Sequence, residues 1–392
     1  MIIEVLALTA LAAWLYLLLG RGWFWLSRER DDSAPFAVVQ PFSSAPSVVA
    51  IIPARDEAEL IAESVGSLLA QDYSGPFTII VVDDKSADGT AEAALSAARQ
   101  AGGGDRVRVL SGCDPPLGWT GKLWAMQQGL AAAEAGEAPP DFILFADADI
   151  AFAPHVLRRL FAIQASRGAV LTSLMVKLRC QSDAEHWLTP AFVFFFQMLY
   201  PFAWTNDPKR KTAAAAGGCM LARRDALAAA GGLETLRDAL IDDCALAAAM
   251  KKQGAIWLGL TESARSLRAY PGVADFRKMV SRSAYAQLRY SPLLLAGTVL
   301  AMALVYLAPP LLAIFARGFA QAAGALAWAL MALAFAPMLR FYRRPLAGAF
   351  ALPAIAAVYT AFMIDSAAQH WRGRGGYWKG RAQAPAAAKR FG

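Results

Sequence analysis

Two carboxylates, Asp147 and Asp149, follow directly on the apolar run Phe142-Ile-Leu-Phe-Ala146. Such a run reads as a buried strand, and the carboxyl edge of an open α/β sheet is where ligands bind. In extended chain, residues two apart project to the same side, so the pair can share one hard cation or one ligand. That is the chemistry of a metal-held diphosphate. An isolated Asp-x-Asp reads more simply as a strand and a polar turn, so its meaning depends on its company. Asp83-Asp84 closes a second apolar run, Phe77 to Val82, and Pro53 to Glu57 closes a third, Ser47 to Ile52. Acid-ended strands gathered on one edge repel one another with no structural gain unless a cation or donor groups compensate.

The intervening segments are what bring these ends together. Glu57 to Gln71 carries apolar residues at helical spacing, Thr90 to Arg99 and Lys122 to Ala135 read as further helices, and Arg106 to Leu110 as another strand. Strand and helix in alternation imply a parallel sheet with right-handed crossovers. Other phosphate-binding schemes are absent: Gly121-Lys122-Leu123 lacks the upstream Gly and the Ser/Thr of a P-loop, and no nucleophile elbow occurs. Lys122, at a helix start, has two readings, phosphate stabilisation or a solvated lysine.

Of the 392 residues 57% are hydrophobic, too many for a plain soluble enzyme. The excess lies at the ends. Residues 1–26 read as an uncleaved anchor, with Arg21, Arg28 and Arg30 following its apolar run and Trp23 and Trp25 at the interface. Residues 292–366 hold two or three more spans, preceded by an amphipathic juxtamembrane helix over 275–291 and followed by a basic tail, 367–392. The positive-inside rule puts Arg21 to Arg30, and with them a catalytic domain over 47–274, in the cytoplasm of an inner-membrane protein. Three further crossings would send the tail outside, yet Arg372, Arg374, Lys379, Arg381, Lys389 and Arg390 favour the cytoplasm. Pro309-Pro310 and Asp365 mark the segments open to a re-entrant or interfacial reading. The net charge of +7 sits beside these segments and suits anionic lipid; no nucleic-acid partner is expected. The four cysteines and three histidines are too scattered for a zinc site.

In order and spacing the motifs resemble glycosyltransferase family 2, the inverting GT-A enzymes with a Rossmann-like α/β fold. Pro53-Ala-Arg-Asp-Glu57 is similar to its first-strand motif, Val82-Asp-Asp-Lys-Ser-Ala-Asp-Gly-Thr90 to its second, Asp147-Ala-Asp149 to its metal motif, Gly217-Gly218 to its acceptor loop, and Asp242-Asp243 to its catalytic-base motif. The anchor, the C-terminal spans and the tail Gly376-Tyr-Trp-Lys-Gly-Arg381 resemble membrane lipid glycosyltransferases, most of all the hopanoid-biosynthesis-associated type. The resemblance implies a nucleotide-sugar donor, with Asp83 or Asp84 at the uracil or ribose, Arg55 and Glu57 beside the nucleoside, and Asp147 and Asp149 at ribose and a divalent metal, Mg²⁺ or Mn²⁺. A divalent ion would offset charge on the leaving diphosphate, with Lys122 in support. Inversion needs a base opposite the leaving group: Asp243, with Asp242 beside it, at the start of a helix. Asp-Asp departs slightly from the family's more usual Glu-Asp, and capping alone needs one acid.

The region Arg282-Ser-Ala-Tyr-Ala-Gln287-Leu-Arg289-Tyr290 departs from the Gln-x-x-Arg-Trp motif of processive synthases. Arg282 and Arg289 are then either diphosphate contacts or juxtamembrane cations. Residues 187–204, with Phe194, Phe195 and Phe196, read as an interfacial or re-entrant helix lining access for a lipid hydroxyl acceptor, or else as a core helix. The expected activity is transfer of one sugar to a membrane lipid, possible hopanoids included. A polysaccharide synthase and a non-catalytic lipid-binding protein are the rival readings.

Overall fold

The structure is a computed structural model that describes residues 1–32, 45–136, 138–374, 376–379 and 381–382. Lys389 and Arg390 of the expected basic tail lie outside the described residues.

The first helix, α1 (Ile2–Leu19), precedes the sheet domain, whose elements are β1 (Val48–Ala54), α2 (Ile61–Leu69), β2 (Phe77–Asp83), α3 (Thr90–Gln100), β3 (Val107–Ser111), α4 (Gly121–Glu134), β4 (Phe142–Ala146), β5 (Ile150–Phe152), α5 (Val156–Arg167) and β6 (Ala169–Lys177). There follow α6 (Asp183–Leu199), α7 (Phe202–Asn206), β7 (Cys219–Arg223), α8 (Arg224–Ala229), α9 (Asp242–Met250), β8 (Ala255–Ser266), α10 (Val273–Ser281) and α11 (Ala284–Gln287). The C-terminal part comprises α12 (Pro292–Met302), α13 (Ala308–Phe315), α14 (Gly318–Phe341), α15 (Leu352–Trp371) and the short strands β9 (Tyr377–Trp378) and β10 (Arg381–Ala382). A π-helical stretch, Ala303–Leu307, joins α12 to α13 just before Pro309-Pro310.

Among the described residues eight strands form one sheet in the order β3-β2-β1-β4-β7-β6-β8-β5. The expected parallel arrangement holds for the first four strands; β7 then runs antiparallel to β4 and β6, and β5 antiparallel to β8. All seven residues of β1 are buried, as befits a strand covered on both faces. One core lies between the sheet and α2, α3 and α5, another between the sheet and α4 and α9. The antiparallel turn of β7 has a functional effect. Its first residue, Cys219, pairs with Ala146 at the end of β4, so Gly217-Gly218 arrive at the edge where Asp147 departs.

Among the described residues four helical segments are long and apolar enough to cross a membrane: Ile2–Leu19, Pro292–Phe315, Gly318–Phe341 and Leu346–Trp371. The domain end of α1 is tied down where Asp31 N–H donates to Leu260 O at 3.0 Å and Arg21 donates to the carbonyls of Met198 and Leu199. At its other end Ala7 packs on Ala320 and Ala323 of α14. Gly324 is closer still: a Cβ there would lie 2.6 Å from Leu312 Cβ and 2.9 Å from Pro309 O. Small residues thus let the backbones of α13 and α14 touch, the usual means of joining helices where lipid removes the hydrophobic drive.

The last apolar segment behaves differently. Before it, Arg343 lies 3.4 Å from Glu262 of β8 and Lys177 stacks over Phe341. The chain then runs back along α14, where Trp328 Nε1 donates to Phe350 O at 3.2 Å. It reverses into α15, which returns to the domain: Asp365 accepts from Ser281, and His370 and Trp371 pack on Tyr285. The segment thus begins beside β8 and ends on α10 and α11. The expected juxtamembrane helix over 275–291 is two shorter helices, α10 and α11, and both contact α15.

Replacing Gly324 by Leu should push α13 from α14 and cost about 1–3 kcal/mol. The readout is a lowered unfolding midpoint in detergent. Gly297→Leu, at a position with open space around it, should leave the midpoint unchanged.

Candidate active site

Strand ends deliver the acids. Asp147 and Asp149 occupy the turn between β4 and β5, and both line a cavity of about 510 Å³ together with Pro53, Glu57, Lys122, Arg268, Arg282 and Lys379. A second cavity of about 310 Å³ is bounded by Gly217, Asp242, Asp243, Phe192, Phe195, Phe196, Tyr200, Gln287 and Tyr359. Lys122, Asp147 and Arg282 line both cavities, so the two meet at these side chains.

Lys122 sits in the first turn of α4, behind the cap Thr120, and is no solvated lysine. Its Nζ lies 2.9 Å from Asp147 Oδ1 and 3.1 Å from Asp242 Oδ2. Burial alone would depress its pKa, but the carboxylates of Asp147 and Asp242 hold it above the ordinary value. Asp243 points into the same junction. One of its oxygens accepts the Gly217 N–H at 3.1 Å and the other the Cys244 N–H at 2.7 Å. Neither Asp242 nor Asp243 makes the side-chain N-cap of α9, so capping does not explain the pair. Burial, and then the neighbouring Asp242 carboxylate, push Asp243 up to about 6, where a carboxylate is a useful base near neutral pH. Gly217 owes its identity to this crowding: a Cβ would stand 3.2 Å from Lys122 Nζ, 3.6 Å from Asp243 and 3.8 Å from Asp147. Gly218 instead faces Val176 and Ile150, a packing role.

On the other side of the first cavity, Arg268 bridges Glu57 and Asp149, the latter at 3.0 Å. Lys379 reaches in from the C-terminal tail, 3.0 Å from Glu57, while Arg55 Nε donates to the Lys379 carbonyl at 3.0 Å. Asp147 and Asp149 supply two hard oxygen ligands, and no third Asp, Glu, His or Cys closes a metal cage with them among the described residues. That donor set fits Mg²⁺ or Mn²⁺, ions that take one or two carboxylates and complete their shell with phosphate oxygens and water.

Several of the expected site residues lie away from the cavities. Asp84 is buried, and Arg55 holds its carboxylate at 3.6 Å and also donates to its carbonyl; neither Asp83, Asp84 nor Arg55 lines the cavity. Asp83 accepts the Ser86 N–H and shapes the following turn. Phe194 turns into the core against Phe24 and Phe335, so only Phe195 and Phe196 of the aromatic triplet face the second cavity. Arg282 lines both cavities and Arg289 neither. Arg268, Lys379 and Gln287, which donates to the Tyr200 hydroxyl at 2.6 Å, were not anticipated as site residues. Arg268 had a readable signal, since it follows a strand, β8, that ends beside β5.

The profile of the family described as glycosyltransferase like family 2 matches residues 45–260. Among solved structures, a mannosyltransferase from Pyrobaculum calidifontis in complex with GDP-Man and Mn²⁺ aligns over 94% of this chain and 98% of that one, with TM-score 0.53 and 21% identity. The likeness shows a shared fold, and the mixed sheet is of the GT-A kind. Mannosyl-3-phosphoglycerate synthase from Rubrobacter xylanophilus aligns over 68% of this chain and 80% of its own, with TM-score 0.41 and 18% identity. Glucosyl-3-phosphoglycerate synthase from M. tuberculosis aligns over 64% and 84%, with TM-score 0.38 and 18% identity. No curated protein matches the sequence.

The raised Asp243 has a consequence for stability. Between its ordinary value near 4 and its folded value of about 6, the folded chain binds more protons than the unfolded one, so stability falls as pH rises through this window. Asp243→Asn should therefore unfold at a higher temperature than the parent at pH 7.5, with the gain fading toward pH 4. A parent that is the more stable of the two at pH 7.5 would show that its neighbours fully compensate the buried anion.

Proposed function

Because the chain belongs to glycosyltransferase family 2, a class of sugar-transferring enzymes, we propose that it moves one sugar, with inversion, from a UDP-type nucleotide donor to the hydroxyl of a membrane lipid. The carrying observation is the position of Asp243: on the wall of the aromatic cavity, held by Gly217 N–H, and next to Asp242, whose carboxylate shares the Lys122 ammonium with the carboxylate of Asp147.

In this reading the donor diphosphate lies between Asp147, Asp149, Arg268 and Arg282. A divalent cation on the two aspartates would supply charge neutralisation to the departing diphosphate. Asp243 takes the proton from the acceptor hydroxyl, whose oxygen attacks the anomeric carbon from the second cavity. The bond from that carbon to the diphosphate oxygen breaks on the opposite side, and Lys122 and Arg282 meet the charge that appears there. Phe192, Phe195, Phe196 and Leu199 give the acceptor an apolar wall. A phosphate-ended acceptor would arrive already ionised, would need no base, and would face the carboxylates of Asp242 and Asp243. A neutral hydroxyl on a bulky apolar body suits the cavity better, and a hopanoid polyol is such a molecule.

The contacts at both ends of residues 342–371 also support a topology of three crossings, α1, α12–α13 and α14, with the last apolar segment re-entrant. The catalytic domain and the Lys379 tail then share the cytoplasmic side, as the positive charge around both requires.

Purified protein with Mn²⁺ or Mg²⁺, a panel of nucleotide sugars and membrane lipid extract should yield a glycolipid identifiable by mass. Asp243→Asn should slow its formation roughly 100-fold to 10,000-fold while donor still binds. Consumption of no donor under either metal would defeat the proposal. For the topology, a membrane-impermeant maleimide should label Arg317→Cys in intact cells and Arg374→Cys only after permeabilisation. Labelling of both in intact cells would mean four crossings.

A further inference from the structure

A second polar concavity lies apart from both reaction cavities. It has a volume of about 560 Å³, and four cations line it, Lys177, Arg179, Arg265 and Arg343, with two carboxylates, Glu63 and Glu262. Glu262 is shared among Lys177 at 3.0 Å, Arg343 at 3.4 Å and Arg30 at 3.5 Å. Arg265 pairs with Glu63 at 2.9 Å. Arg179 donates through two nitrogens to the neutral carboxamide of Gln181, at 3.0 and 2.8 Å. Cationic charge therefore exceeds anionic charge, and none of these side chains lines the donor or acceptor cavity.

The neighbouring surface is of the opposite kind. An apolar groove of about 350 Å³ runs between the start of α6, the end of α14 and the residues that follow it, lined by Trp187, Leu339, Pro345 and Gly348. Arg344 lines this groove and Arg343, next in sequence, lines the cationic cavity, so consecutive residues of one segment serve the two concavities. Trp187 of the groove is exposed, as are Leu346 and Phe350 of the segment that follows α14. A soluble anion would use the cations and leave the groove idle. A molecule with an anionic head and an acyl chain uses both.

We propose that the two concavities together bind an anionic phospholipid, with its phosphate on the Arg179, Arg265 and Arg343 guanidiniums and an acyl chain beside Trp187. Planar guanidiniums suit phosphate through paired hydrogen bonds. The assignment rests on the reading that the apolar helices lie in a bilayer. It does not depend on which sugar or acceptor the enzyme uses.

The test is native mass spectrometry of the full chain in detergent, titrated with phosphatidylglycerol or with phosphatidylcholine of the same acyl chains. Phosphatidylglycerol should be retained over phosphatidylcholine. Arg343→Gln, at an exposed position, and the double change Arg179→Gln with Arg343→Gln should each bind it roughly tenfold or more weakly, with phosphatidylcholine unaffected. Equal retention of the two lipids by the parent would overturn the proposal, as would variants that bind like the parent. Displacement of phosphatidylglycerol by millimolar inorganic phosphate would show a phosphate site and no lipid site. Donor turnover measured on the same samples separates the two readings: retention of phosphatidylglycerol without any turnover would sink the proposed activity and leave this site standing.

Discussion

The ammonium of Lys122, held between Asp147 and Asp242, is the contact on which the site's arrangement depends. Five carboxylates, those of Glu57, Asp147, Asp149, Asp242 and Asp243, crowd one sheet edge, and carboxylates so placed cannot all stay ionised without cations among them. Lys122 serves one half of the group and Arg268 and Lys379 the other. Lys122 also joins elements with no covalent reason to be neighbours: the turn after β4 and the start of α9. The same ammonium thus sets the spacing between the Asp147 turn and the start of α9, so a change at either carboxylate is felt on both sides of the junction.

The strands that deliver the acids were legible because burial on both faces leaves continuous apolar runs, and β1, β2 and β4 fall within two residues of their expected bounds. The acids themselves were visible as breaks in those runs. What could not be read was direction and partner. Asp83-Asp84 looks like Asp147-Ala-Asp149 in sequence, but Arg55 draws Asp84 inward, and that contact is set by the pairing of β1 with β2. The Phe194 to Phe196 triplet is plainly apolar, yet a helix turns about 100° per residue, so three consecutive rings cannot face one cavity. Which of them faces inward depends on Phe335 of α14, far along the sequence.

Charge rules alone left the C-terminal tail with two incompatible addresses. Contacts at both ends of the last apolar segment bear on that conflict, because Arg343 and Lys379 each meet the sheet domain. Apolar length licenses a crossing without requiring one. Asp365, which interrupts the apolar pattern, is bonded to Ser281 of α10, so this half of α15 is packed on protein.

Lys379 closes a ring in the chain, touching Glu57 and Asp56 from the far end of the sequence. A ribosome makes the protein from its N-terminus, so the sheet edge, Asp243 and the aromatic wall all exist before this residue does. The cavity that holds Asp147 and Asp149 is consequently the last part of the sheet edge to be finished, and only after the apolar helices have been made. Assembly in that order ties a complete cavity to a chain whose apolar helices are already in place.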